Sequence, residues 1–181
     1  MNPEEREKVV EEIKKKAIQD CIFCKILRGE IPAKKVFESE DVLSFLDINP
    51  VNPGHTLVIP KKHYLFITQI PDGELSALMS VVKKIAGVVL DATKAEGITI
   101  SQLNGKAAGQ IVPHVHFHII PRYENDKMDN HWPTQKLDDE QFNNIQRKII
   151  ELVKKLYEPK ENTEEKVEDE DEEYEFKPRL P

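Results

Sequence analysis

Apolar residues recur at helical spacing in three stretches of the chain, and each stretch predicts an α-helix. The first follows Asn2-Pro3-Glu4-Glu5, which offers an N-cap, a helix-compatible proline and an acidic first turn, and its apolar positions are Val9, Val10, Ile13, Ala17 and Ile18. It is too charged to be stable alone, so we expect it to dock on another part of the protein.

The second helical stretch is the longest apolar stripe of the sequence. It begins after Pro71-Asp72-Gly73 and comprises Leu75, Leu78, Met79, Val82, Ile85, Ala86, Val89 and Leu90. The third helix is predicted at about residues 138–157, with a buried face formed by Phe142, Ile145, Ile149, Leu152, Val153 and Leu156.

Between residues 34 and 60 the pattern changes to that of β-strands. Short runs of β-branched and aromatic residues lie at 36–37, 42–46 and 56–59, separated by turn-forming residues. Two further strands are predicted at 98–104 and 115–120. The sequence therefore predicts an α+β fold, with a mainly antiparallel five-stranded sheet, one long helix, and helices at both termini.

The charge of the chain is concentrated at its C-terminal end. The net charge is −7 over 181 residues, and residues 158–181 hold 11 acidic and 4 basic residues, which leaves 22 of each sign in residues 1–157. A neutral body lacks the cationic surface of nucleic-acid-binding proteins, and no apolar run approaches the roughly 18 to 20 residues of a membrane span. We therefore predict neither a nucleic-acid nor a membrane partner.

Composition and cysteine content also predict the organisation and the compartment. We divide the chain into an N-terminal helix at 1–19, one domain at 20–157 that ends in a helical extension, and a disordered acidic tail at 158–181. The two cysteines, Cys21 and Cys24, are too few and too close for a secreted disulfide framework. A reducing compartment, the cytoplasm, is expected.

The segment His114-Val115-His116-Phe117-His118-Ile119-Ile120 is the most informative about function. On a strand, side chains alternate between faces, so the three histidines would share one face while Val115, Phe117 and Ile119 point into the core. A rise of about 3.3 Å per residue then separates successive imidazoles by roughly 6 to 7 Å. Three of the six histidines of the chain lie here, which argues against a chance surface cluster.

Such a row allows more than one chemistry. A neutral imidazole can attack phosphorus and form a covalent phospho-histidine, while charged neighbours hold phosphate oxygens. Histidines at i and i+2 on a strand also suit metal binding, and they can simply form hydrogen bonds within a polar cleft. The glycine-bearing loop at 105–110 and His55, after Asn52-Pro53-Gly54, add groups that favour an anion-binding site.

The row resembles, at every position, the His-φ-His-φ-His-φ-φ signature of the histidine triad (HIT) family of nucleotide hydrolases and transferases, where φ is apolar. Further blocks resemble that family in the same order: Cys21-Ile22-Phe23-Cys24-Lys25-Ile26, Ile31-Pro32-Ala33-Lys34, Phe45-Leu46-Asp47-Ile48, Gly54 to His63, and Ile119-Ile120-Pro121-Arg122. The resemblance covers residues 20–123 and is strongest to the histidine triad nucleotide-binding branch. It implies a HIT-like fold for the domain at 20–157.

The resemblance implies a role for each matching residue. His116 would attack the α-phosphorus and form a nucleotidyl-histidine intermediate, His118 would contact phosphate, and His55 would lie close to the leaving group. The implied nucleotide-binding residues are Ile22, Phe23, Ile31 and Phe45 around the base, Asp47 and Ile48 at the ribose, and Asn104, Gly109 and Gln110 at the phosphate. Many family members carry Ser where this chain has Ile111, which leaves its preferred leaving group open.

The resemblance also implies a metal and partners. A subset of the family binds structural Zn²⁺ through residues that match Cys21, Cys24, His63 and His114, and catalysis would not require this ion. A purine nucleotide substrate and a homodimer are implied as well. His131-Trp132-Pro133 resembles a segment near the end of close family members.

These inferences predict an enzyme that cleaves nucleoside 5'-phosphoramidates or related AMP-X compounds at the α-phosphorus. Two alternatives stay open at this point. One is hydrolysis of dinucleoside polyphosphates, and the other is a nucleotide-binding regulatory module whose turnover is incidental.

Overall fold

The computed structural model describes residues 2–126, 128 and 136–157, and the chain divides into two compact units, Met1–Asp129 and Asn130–Pro181. The predicted tail and the segment His131-Trp132-Pro133 lie outside the described residues. None of the helices in the described part of the chain is both long and apolar enough to span a membrane.

The first unit contains a five-stranded antiparallel sheet and three α-helices. The helices are α1 (Pro3–Asp20), α2 (Ile22–Leu27) and α3 (Asp72–Thr93), and the strands are β1 (Lys35–Glu38), β2 (Val42–Leu46), β3 (Thr56–Pro60), β4 (Gly97–Gln102) and β5 (Phe117–Arg122). The strand order is β1-β2-β3-β5-β4. The second unit contributes α4 (Asp139–Tyr157). The predicted α+β architecture with an antiparallel five-stranded sheet is confirmed.

The sheet separates two apolar layers because its strands alternate their side chains. On one face, α3 packs through Leu78, Val82 and Val89 against Val58 and the strand β5. On the other face, α2 packs through Phe23, Cys24 and Ile26 against Leu43, Phe45, Leu57 and Ile59. Val115, Phe117 and Ile119 lie in the α3 layer, as predicted. The histidines of the row therefore face the α2 side of the sheet.

Helix α2 is absent from the sequence prediction. It has only six residues, too few for an amphipathic period to be recognised. Cys21 is its N-cap, and the Cys21 sulfur accepts a hydrogen bond from the Cys24 backbone N–H at 3.5 Å. This short helix brings Phe23 and both cysteines into the buried layer.

The expected docking of α1 is wrong for the single chain. Its predicted N-cap is confirmed, because Asn2 and Glu5 exchange side-chain-to-backbone hydrogen bonds of 2.8 and 2.9 Å. Its apolar residues Val9, Val10, Ile13 and Ile18 are nevertheless exposed. The apolar stripe is narrow and flanked by Glu and Lys, and the capping box stabilises the start of this helix locally.

The predicted burial of α4 is wrong in the same way. The helix forms where expected, but Phe142, Ile145, Ile149, Leu152 and Val153 are exposed. Amphipathic spacing identifies the apolar face of a helix, but it does not predict whether another part of the protein packs against that face.

We expect Gly54→Ala to destabilise the fold by about 2 kcal/mol or more, because Gly54 has a φ of +94° and an added Cβ would lie 2.5 Å from Thr93 Cγ2. Gly87→Ala is the matched control: a Cβ there meets nothing within 4 Å, and alanine favours the interior of α3 by roughly 0.8 kcal/mol. Urea unfolding should shift in opposite directions for the two variants. Equal stability of Gly54→Ala and wild type would contradict this account.

Candidate active site

The three histidines of the row lie at the beginning of β5, and only His118 is within the strand. Strand β5 starts at Phe117, two residues later than the sequence predicted. The reason is that the Val115 N–H donates to the Tyr64 carbonyl at 2.7 Å and not to β3. The predicted spacing of roughly 6 to 7 Å is also wrong, since the ring centroids of His116 and His118 are 4.8 Å apart. Leaving the regular strand lets the two rings approach.

The row opens into a cleft of about 880 Å³, which is within the range of small-molecule sites. The apolar wall of the cleft contacts the histidine row through Phe23. The Phe23 ring packs edge-on against Phe45, with 5.6 Å between ring centroids, and against His116, with 5.2 Å between ring centroids. Among the cleft-lining residues are Ile22, Phe23, Ile31, Phe45, Asp47, Ile48, His55, Gly109, His116 and His118, all named by the sequence. Ile26, Leu57, Leu103 and Val112 also line it and were not predicted.

The backbone determines which nitrogen of His116 is free. Its Nδ1 lies 2.7 Å from the carbonyl oxygen of His114. A carbonyl can only accept, so Nδ1 carries the proton and Nε2 keeps its lone pair. Burial lowers the pKa of His116, which keeps the ring neutral at pH 7. His116 therefore has the protonation state of a nucleophile.

The same reasoning assigns the tautomers of His55 and His118, which are linked by successive hydrogen bonds. The Val51 backbone N–H donates to His55 Nδ1 at 3.2 Å, so the proton of neutral His55 is on Nε2. That Nε2 lies 3.0 Å from His118 Nδ1 and donates to it. His118 consequently carries its own proton on Nε2. Burial, with the neighbouring His116 and His55, lowers the pKa of His118 to about 4, and burial lowers that of His55.

Asp47 lies beside this pair. Its Oδ2 is 3.7 Å from His55 Nε2, and its Oδ1 accepts a hydrogen bond from the Asn49 N–H at 2.8 Å. Asp47, His55 and His118 bring their donor atoms within 4.8 Å of one another, which is a spacing that metal ions accept. The Nε2 proton of His55 occupies the position that a metal would need, so these residues are arranged for hydrogen bonds.

Two predicted phosphate ligands do not line the cleft. The Asn104 side chain accepts from the Ile67 N–H at 2.9 Å and also bonds Gln102. The amide of Gln110 closes its own loop, accepting from the Gly105 N–H at 2.6 Å and donating to the Leu65 carbonyl at 2.9 Å. Gly109 is on the cleft wall. Ile48 and Ile111 also border the cleft, with 91% and 92% of their surface exposed.

The four predicted metal ligands form a second, buried cluster. Cys24 Sγ lies 3.3 Å from His63 Nδ1 and 3.6 Å from His114 Nδ1, and Cys21 Sγ lies 3.6 Å from His114 Nδ1. A tetrahedral zinc with bonds of about 2.3 Å to sulfur and about 2.0 Å to nitrogen separates such atoms by about 3.5 Å. His114 donates from Nε2 to the Pro60 carbonyl at 2.9 Å, which leaves Nδ1 unprotonated. The donor set therefore fits zinc.

The thiols of this cluster fit a metal for an electrostatic reason as well. Burial, reinforced by the adjacent Cys21, raises the pKa of Cys24 to about 12. Both cysteines are buried and free of disulfide bonds. A bound cation is the ordinary means by which such buried thiols become thiolates.

The sequence analysis missed a polar network behind His55. It consists of Asn52, Arg122 and Asp126, joined by the bonds Asn52 Nδ2 to Asp126 Oδ2 at 3.0 Å and Arg122 Nε to Asp126 Oδ2 at 2.6 Å. The only sequence feature that could have indicated this pair is the four-residue spacing between Arg122, at the end of β5, and Asp126.

Comparison with known proteins assigns this arrangement to a class. The HIT domain family matches residues 28–125, more than half of the chain. Adenosine 5'-monophosphoramidase HNT1 of Candida albicans is 41% identical over 141 residues, which are 75% of this chain and 93% of that protein. Adenylylsulfatase HINT3 of Arabidopsis thaliana is 42% identical over 118 residues, 65% of this chain and 58% of that protein.

A solved structure agrees with the fold. A Zn-bound histidine triad family protein from Mycobacterium smegmatis superposes with a TM-score of 0.58 at 34% identity, over 77% of this chain and 99% of that one. The chain belongs to the HIT domain family, as the histidine row indicated. Both curated relatives described above are hydrolases by name.

We expect the His118 imidazole to titrate with a midpoint near 4, because burial disfavours the imidazolium. Proton NMR of the ring C2–H, assigned with His118→Asn, measures this midpoint directly. The folded state then binds this proton less readily than the unfolded state, whose histidine pKa is about 6.5. The stability that His118 contributes is therefore complete above pH 6.5 and is lost as the pH falls through about 4. A midpoint near 6.5 would contradict the prediction.

Proposed function

We propose that the chain hydrolyses nucleoside 5'-phosphoramidates or related AMP-X compounds at the α-phosphorus, with His116 as the nucleophile. The observation that carries this proposal is the bond from His116 Nδ1 to the His114 carbonyl, which leaves Nε2 free in a nucleotide-sized cleft. The names of the Candida albicans and Arabidopsis thaliana relatives support the same reaction class.

In the proposed reaction, His116 Nε2 forms a bond to phosphorus while the bond from phosphorus to the leaving group breaks. The ring then carries a positive charge, which the His114 carbonyl stabilises through Nδ1–H. Water subsequently attacks phosphorus and releases His116. In the net reaction one water supplies the hydroxyl on phosphorus and the proton on the departing group. The Nε2–H of His118 donates to the phosphate as negative charge accumulates there.

The cleft supports a nucleotide as the substrate class. Phe23 and Phe45 offer flat apolar surface for a base, and the Asp47 carboxylate is an acceptor for ribose hydroxyls. Adenine is favoured by the relatives' names. Hydrolysis of dinucleoside polyphosphates is the second candidate, because the cleft extends to the exposed Ile48 and Ile111 and has room beyond one nucleotide.

We include a structural Zn²⁺ held by Cys21, Cys24, His63 and His114 in the proposal. The fit of the donor atoms and the Zn-bound relative from Mycobacterium smegmatis support it. When bound, the ion would hold α2 against the residue whose carbonyl orients His116. The chemistry at phosphorus would not use it.

A homodimer and a cytoplasmic location complete the proposal. Ile100 on the edge strand β4 is exposed, and so are Met79 and Val88 on α3. These exposed apolar side chains support an interface with a second copy of the chain. The two free thiols support a reducing compartment.

Replacing the nucleophile tests the reaction. We expect wild type to release AMP from adenosine 5'-phosphoramidate and His116→Ala to lose turnover by on the order of 10³-fold or more, as when other covalent nucleophiles are removed. Chromatography of the products measures both, with Lys84→Ala, a substitution at an exposed position on α3, as the control. Cleavage of diadenosine tetraphosphate alone would select the second candidate. AMP binding with no turnover of either compound would leave a binding module.

Removal of one thiol tests the metal. We expect about one zinc per chain in protein purified without a His-tag, and less than about 0.2 per chain in Cys24→Ser, because a hydroxyl is a poor zinc ligand. Wild type should also melt at a lower temperature after chelation, and Cys24→Ser should not respond to the chelator. Metal-free wild type with an unchanged melting temperature would contradict the proposal.

A further inference from the structure

A partly buried ion pair lies at the far end of β5 from His116 and takes no part in the proposed chemistry. Arg122 holds Asp126 with two parallel bonds, Nε to Oδ2 at 2.6 Å and Nη2 to Oδ1 at 2.9 Å. The two side chains are only 11% and 5% exposed. The Asp126 carboxylate also accepts hydrogen bonds from the N–H groups of Tyr123 and Met128. The bond from Arg122 holds the pKa of the Asp126 carboxyl well below its usual range. Two parallel, charge-assisted bonds with little exposure to solvent make this pair a rigid support.

Asn52 connects this pair to the loop that carries His55. Its Nδ2 donates to Asp126 Oδ2 at 3.0 Å and to the Pro121 carbonyl at 2.8 Å, so both amide hydrogens have partners and the orientation of the amide is fixed. The Asn52 carbonyl accepts the His55 N–H at 3.0 Å. The adjacent Val51 N–H donates to His55 Nδ1 at 3.2 Å. The Asn52 side chain thus links the loop from 51 to 55 to the end of β5.

The consequence for His118 follows from its hydrogen bond to His55. While Val51 N–H faces His55 Nδ1, His55 must donate from Nε2, and His118 must accept at Nδ1 and keep its proton on Nε2. If the loop relaxes, His55 gains access to the tautomer with its proton on Nδ1. Its Nε2 lone pair then faces His118, which must place its own proton on Nδ1 and loses the donor aimed at phosphate.

We propose that Asn52, held by the Arg122–Asp126 ion pair, is a positioning residue that fixes the tautomer of His118 through Val51 and His55. The tautomer assignment stands on the contacts above, and its effect on turnover rests on the proposed function. Because one hydrogen-bond donor in a transition state is worth about 10²- to 10³-fold in rate, a partial loss of the correct tautomer lowers kcat by roughly 10- to 100-fold. KM should change by less than about threefold, since base and ribose contacts are untouched.

The test compares Asn52→Ala and Asn52→Asp with wild type by long-range ¹H–¹⁵N NMR of the histidine rings at pH 7. Wild type should show His55 and His118 protonated on Nε2. Both variants should show averaged signals for these two rings, while His116 stays protonated on Nδ1 because the His114 carbonyl still holds it. Asn52→Asp keeps the size of the side chain but removes both donated hydrogen bonds. If Asn52 only filled space, this variant would behave like wild type.

Thr99→Val is the matched control. It removes the hydrogen bond from Arg122 Nη1 to Thr99 Oγ1 at 3.1 Å, a contact of the same ion pair that does not lead to Asn52, and it should leave the rings and kcat unchanged within twofold. If Asn52→Ala fails to fold, Asn52→Ser tests the same contact with a short polar side chain.

The outcomes separate the two proposals. Averaged His118 signals together with a fall in kcat support the positioning role. Unchanged His118 signals in the folded Asn52 variants overturn it, and changed signals with an unchanged kcat overturn its link to turnover. If wild type cleaves neither nucleotide substrate, the proposed function fails while the NMR result still decides the tautomer assignment.

Discussion

The hydrogen bond between His116 Nδ1 and the carbonyl of His114 is the interaction on which the site depends. It exists because residues 114–116 leave the strand pattern, with Val115 bonded to Tyr64 and not to β3. A regular strand would point that carbonyl at a neighbouring strand, where a ladder N–H would compete for it. The local irregularity thus makes a backbone carbonyl the group that sets the tautomer of His116, the proposed nucleophile.

Backbone groups determine the tautomers of the neighbouring histidines in the same way. The Pro60 carbonyl accepts a hydrogen bond from Nε2–H of His114, which leaves Nδ1 unprotonated toward the cysteines. The Val51 N–H donates to Nδ1 of His55, which leaves the proton of that ring on Nε2. Backbone donors and acceptors cannot exchange roles, so they assign protons more reliably than side chains would. Chemically identical imidazoles in one motif thereby acquire different tautomers, with the proton on Nε2 in His114 and on Nδ1 in His116. His114 belongs to both sites, since its ring faces the thiols and its carbonyl faces His116.

The sequence predicted the features that rest on local periodicity. Strand alternation identified Val115, Phe117 and Ile119 as core residues, and the stripe from Leu75 to Leu90 identified α3. Burial of α1 and α4 was not predictable, because periodicity describes a helix and not its surroundings. The amide of Gln110 has the chemistry of a phosphate ligand, yet its own loop uses it. Asn52 and Asp126 are 74 positions apart, and no local pattern records a contact over that distance.

The pairing of β3 with β5 has a consequence for how the site comes into being. Only three residue pairs join these strands, with Leu57 opposite His118, whereas six join β4 to β5 and five join β2 to β3. This narrow seam joins segments about 60 residues apart in the chain, and contacts of that sequence separation form later in folding than local ones. His55 and Asp47 stand on one side of it, and His116 and His118 on the other. A slip of one residue along the seam would turn His118 toward α3. A chain in which β3 and β5 have not paired contains every imidazole of the motif but lacks the assembled candidate site, so activity at that site would report on the completion of folding.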